Sequence, residues 1–114
     1  MTARGNRQPR ERLADIVTAV ARIKQVEQRL VVAEQANNEV SVQVAFDAIL
    51  YNLVVIGEAV NALPAELTSG QPEVPWRDVV DMRNFLSHEY FRVSASIVRQ
   101  TIDEPLDQLR VVQG

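Results

Sequence analysis

The sequence predicts an all-α domain, an antiparallel helical bundle that pairs with a second copy of itself. Three observations carry this. Apolar residues recur every three or four positions over long segments, and no segment alternates as a half-buried strand would. Asparagine, proline and glycine cluster between those segments as turn formers do. One segment is apolar almost all round and needs cover on several sides. The 114 residues fit one compact domain, and a hydrophobic content of 46% supplies its core.

Residues 1 to 8 are polar and read as a flexible tail, leaving residues 9 to 114 as the helical domain. From Pro9, a residue suited to a first helical turn, the pattern turns helical. Leu13, Ile16, Val17, Val20, Ile23, Val26 and Leu30 step by three and four. The polar run "EQANNE" ends the stripe, with Asn37 and Asn38 as the loop.

A second helix is expected from about Val40 to Leu63. Its centre, "VAFDAILYNLVVIGEAV", is the segment apolar almost all round. One intramolecular face does not hide it in so small a domain, so a symmetric dimer is expected. Gly57 lowers helix propensity and is a candidate for close helix–helix approach. "PAELTSGQPEVP" reads as a loop with one short helical turn after Pro64. A third long helix starts near Pro75-Trp76, with Asp78 and Asp81 in its early turns, and ends between His88 and Phe91. A fourth carries Ile97, Val98, Ile102, Leu106 and Leu109, with a kink or break near Asp103-Glu104 set by Pro105.

Composition narrows the function. With a net charge of −3, nucleic-acid contact has to be local. There is no cysteine, which excludes disulfides and thiolate metal sites and is compatible with a cytoplasmic location. No signal peptide is expected, and the longest uncharged apolar stretch, residues 48 to 57, is short of the roughly 20 residues that span a bilayer. No Gly-rich phosphate loop, nucleophile elbow or HExxH occurs, and a single histidine leaves too few ligands for a His/Cys metal site. Neither a metal nor another cofactor is expected.

The stretch "RNFLSHEY", Arg83 to Tyr90, holds that single histidine, His88. On a helix Arg83 and Tyr90 lie within about 20° of one another, while Arg83 and His88 diverge by about 140°. Asn84 and His88 share a face. The helix ends near His88, the long arginine reaches across, or a second chain completes the site. The last has a chemical motive. Metal-free RNA cleavage uses the neighbouring 2′-hydroxyl as nucleophile and needs a base, an acid and a cation. Histidine, with an unperturbed pKa of about 6.5, suits the proton transfers. Arginine suits the phosphate. A two-fold dimer would supply a second His88 and a second Arg83. On the second helix Asp47, Tyr51 and Glu58 form a polar stripe that lines either such a groove or the solvent face.

"RNFLSHEY" matches the R-x4-H-x-Y motif of the HepT-like HEPN ribonuclease toxins. "NLVVIGEAVNALPAEL", Asn52 to Leu67, resembles their second-helix region. "PEVPWRDVVDMRNFLSHEYFRV", Pro72 to Val93, resembles the segment leading through their active site. The resemblance implies a HEPN-type bundle and a homodimer whose groove carries the motif from both protomers. It implies a metal-independent endoribonuclease acting on tRNA or mRNA, the toxin of a type VII-like toxin–antitoxin module. By position, Arg83 and His88 are then the catalytic pair, and Asn84 a supporting residue that orients His88. Tyr90 is the tyrosine adenylylated by an MNT-type nucleotidyltransferase antitoxin. The competing reading is a non-catalytic helical module that binds a nucleotidyltransferase. In that reading His88 and Tyr90 are interface residues. The bland reading of Arg83 by itself is an ion pair with Asp81, Glu89 or another surface carboxylate.

Overall fold

A computed structural model describes residues 7–89, with the side chains of the last helix described through Leu86. Those residues form four helices: α1 Pro9–Gln35, α2 Glu39–Asn61, α3 Ala65–Ser69 and α4 Trp76–Glu89. No strand occurs among the described residues, and the all-α HEPN-type reading holds. The expected fourth long helix, its break at Pro105, and Tyr90 lie outside the described residues.

Each helix starts and stops for a local reason. Pro9 occupies the first turn of α1, and the Glu11 carboxylate accepts the Gln8 backbone N–H at 2.8 Å. Arg7 grips Asp15 with two parallel bonds, from Nε at 3.0 Å and Nη2 at 2.8 Å. At the far end Asn37 adopts the left-handed conformation, with φ at 55°. Its N–H then reaches the Glu34 carbonyl at 3.1 Å, and that of Asn38 reaches Ala33 at 3.0 Å. This paired closure satisfies two otherwise unbonded carbonyls. Asn38 also caps α2, its side chain accepting the Ser41 N–H at 3.1 Å. The two asparagines expected to make the loop therefore stop one helix and start the next.

Helix α2 is central, packing on α1 along one side and on α4 along another. Ile16, Val20 and Ile23 of α1 meet Ile49, Leu53 and Ile56 of α2, while Val79 and Leu86 of α4 complete the core. Ile23, Ile49 and Ile56 are fully buried. Each such side chain contributes about 1.5–3 kcal/mol by leaving water. Two neighbours do not cover α2 completely. Val40, Val44 and Tyr51 remain 75%, 63% and 66% exposed. By length and composition α2 could cross a membrane; part of its apolar surface is buried against α1 and α4.

Candidate functional site

The geometry starts at Gly57. A Cβ placed on it would overlap the Cβ of Arg83 and stand 2.6 Å from its Cγ. Carbon atoms in comfortable contact sit about 3.5–4.0 Å apart. The absent side chain is thus the notch in α2 that seats the stem of Arg83. Close helix–helix approach was legible in the sequence as an unexpected glycine in an apolar helix. Its occupant was not.

Arg83 is half-buried along its stem, and its Nη1 donates to Oδ1 of the neighbouring Asn84 at 2.7 Å. Asn84 was expected to orient His88, whose side chain lies outside the described residues; its carbonyl oxygen holds the Arg83 guanidinium. Adjacent residues on a helix point about 100° apart, so spacing gives no hint of this contact. Asp81, one of the carboxylates proposed to neutralise Arg83, instead lies 3.6 Å from Arg77 on an exposed helix face. That pair contributes little to stability.

Helix α4 is continuous through Glu89, so His88 sits on its last described turn. On a continuous helix the side-chain roots of Arg83 and His88 diverge by about 140°. Of the stripe on α2, Asp47 and Tyr51 are exposed and Glu58 is half-buried. Asp47 accepts a hydrogen bond from Gln43 Nε2 at 2.8 Å. Glu58 follows Gly57 directly, which places it beside the seat of Arg83. Among the described residues no group of three His, Cys, Asp or Glu side chains could hold a metal ion.

Two further features had no sequence signal. Asn52 is buried in α2; its Nδ2 donates to the Ala48 carbonyl at 2.9 Å, but its Oδ1 has no partner. A cleft of about 510 Å³ opens between the end of α2, α3 and α4, with Trp76 and Asn84 in its wall.

The profile of the family described as ribonuclease HepT-like matches residues 16–112, most of the chain. A protein of Caldanaerobacter subterraneus, provisionally named an RNase, is 40% identical over 62 residues, covering 54% of this chain and 55% of its own. A Thermococcus cleftensis protein provisionally named ribonuclease HepT is 35% identical over 63 residues, 55% of this chain and 57% of its own. A provisionally named RNase of Methanocaldococcus jannaschii is 39% identical over 51 residues, 45% of this chain and 42% of its own. The chain therefore spans about half the length of the curated relatives it matches. No solved structure matches.

Proposed function

The chain belongs to the ribonuclease HepT-like family of HEPN proteins, and from that premise we propose that it is a metal-independent endoribonuclease. One observation carries the reading. An arginine stem is seated in a helix notch, its guanidinium is held by Asn84, and the only histidine lies five residues on along the same continuous helix. That is a prepared cation on the same helix as a proton-transfer group, the two kinds of group that phosphodiester cleavage needs.

In this mechanism the 2′-hydroxyl attacks the adjacent phosphorus and the bond to the 5′-oxygen breaks. The products are a 2′,3′-cyclic phosphate and a 5′-hydroxyl. One His88 accepts the 2′-hydroxyl proton, and the His88 of a second protomer delivers a proton to the departing 5′-oxygen. Arg83 takes up the charge that develops on the phosphoryl oxygens. Two copies are required because one helix turns Arg83 and His88 away from each other. The exposed Val40, Val44 and Tyr51 agree with a surface meant for another protein chain.

The biological role that fits is the toxin of a type VII-like toxin–antitoxin module in the cytoplasm, acting on tRNA or mRNA. An MNT-type nucleotidyltransferase would be the antitoxin, blocking the groove by adding AMP to Tyr90. Bulk and negative charge at that position would exclude and repel substrate phosphate.

End-labelled tRNA and mRNA, incubated in EDTA with wild type, His88→Ala and Arg83→Ala, test the proposal. Wild type should cleave; both variants should lose at least about 100-fold while remaining folded. Equal cleavage by His88→Ala refutes the assignment. The second reading, a non-catalytic partner-binding module, is favoured by the same exposed apolar residues on α2. It predicts no cleavage by any of the three proteins.

A further inference from the structure

The cleft at the end of α2 has the features of a nucleobase site. Its floor is apolar, formed by Val60, Leu63 and Val80. Its wall includes Trp76, a half-buried indole packed against the core. The indole Nε1–H is already used, donating to the Thr68 carbonyl at 3.1 Å and to the Gln71 carbonyl at 3.0 Å. The loop between α3 and α4 therefore holds the ring as a fixed apolar plate. The cleft, of about 510 Å³, is open to solvent and has room for one base lying against its wall.

The polar groups are placed where a base edge needs them. Asn61, the last residue of α2, lines the cleft with an exposed side chain. Its amide offers one acceptor and two donors, the complement of a base edge that carries both kinds of group. Asn84 lines the same cleft. Its Oδ1 is bonded to Arg83, so its Nδ2 donors are the groups it can turn toward a ligand. The Arg77 and Asp81 side chains at the rim pair with each other at 3.6 Å, so the mouth carries little net charge. A flat ring with polar edges suits this lining; a charged ligand by itself does not.

We propose that this cleft binds the base of a nucleotide flanking the scissile phosphate, stacked on Trp76 and read by Asn61. The inference rests on the RNA-cleaving reading for its biological meaning. Asn84 is the shared wall, holding the phosphate-binding Arg83 on one side and facing the base on the other. Sequence-selective recognition of RNA works in this way, on unstacked bases held by aromatic rings and side-chain amides.

Trp76 is the only tryptophan, so intrinsic fluorescence reports on the cleft alone. Protein is titrated with the four ribonucleoside 5′-monophosphates and with ribose 5-phosphate, with a tryptophan amide solution correcting for absorption. The nucleotides should quench saturably and with unequal affinities, and ribose 5-phosphate should not. Asn61→Ala should weaken the preferred nucleotide about tenfold without a change in thermal stability, because one edge-reading amide is gone. The absence of saturable quenching overturns the subsite, as does unaltered affinity in Asn61→Ala. RNA cleavage without quenching leaves the nuclease reading standing and removes the subsite. Quenching without cleavage does the reverse.

Discussion

Replacing Gly57 by alanine adds one methyl group where α2 meets the stem of Arg83 on α4. Two effects oppose each other. Alanine is a better helix former than glycine by about 1 kcal/mol, and Gly57 lies in a helix interior. The new Cβ would overlap Arg83 Cβ and approach Cγ to 2.6 Å, so the helices must part by roughly 1.5–2 Å to restore ordinary carbon contact. Overpacking of this kind costs about 1–3 kcal/mol. The clash involves the root of the arginine, not its flexible end, so a rotamer change gives no relief. The expected net loss is about 0–2 kcal/mol, or a fall in Tm of up to about 10–15 °C for a domain of this size. Gly70→Ala is the internal control. A Cβ there would meet only the Leu67 and Glu66 carbonyl oxygens, at 3.4 and 3.6 Å, and its φ of −74° suits any residue. Its stability should move by no more than about 0.5 kcal/mol. In the cleavage assay Gly57→Ala should also lose up to about 100-fold, since displacing a positioned group by about 1 Å has that effect. A Gly57→Ala protein whose Tm rises, as helix propensity alone requires, would refute the notch argument.

Other perturbations separate stability from chemistry. Asn84→Ala removes an exposed residue, so its thermal melt should match wild type, while RNA cleavage falls about tenfold because the guanidinium loses its anchor. A wild-type rate in that variant removes Asn84 from the site. Asn52→Leu replaces a buried amide whose Oδ1 has no partner with an apolar side chain of similar size. Its Tm should hold or rise by a few degrees, and a fall of about 10 °C would show that the amide is satisfied in solution.

Much of the candidate site was legible in the sequence because its signals are local. The spacing of Arg83, Asn84 and His88 is a property of one helix, and helical geometry alone requires the roots of Arg83 and His88 to diverge, however the helices pack. Asn84 showed the limit of that reasoning: its bond to the adjacent Arg83 depends on side-chain rotamers that spacing does not give. The pairing of Asp81 was equally hidden. Arg77 at i−4 competes with Arg83, and the charges alone do not choose between them. The stripe of Asp47, Tyr51 and Glu58 was visible as a stripe, while the differing burial of its members follows from where α1 and α4 lie against α2.

The sequence by itself determined where α1, α2 and α3 begin and end and where α4 begins. Pro9, Asn37, Asn38, Pro64 and Pro75 act on the backbone within a few residues, and apolar periodicity selects the inward faces. Only the tertiary structure decided that Gly57 receives Arg83, and that Trp76 and Asn61 line one cleft. Those partners lie on different helices, and each is chosen by the shape of two packed surfaces together. Periodicity states which face of a helix turns inward; steric fit at the crossing of α2 and α4 sets which residue of one meets which residue of the other.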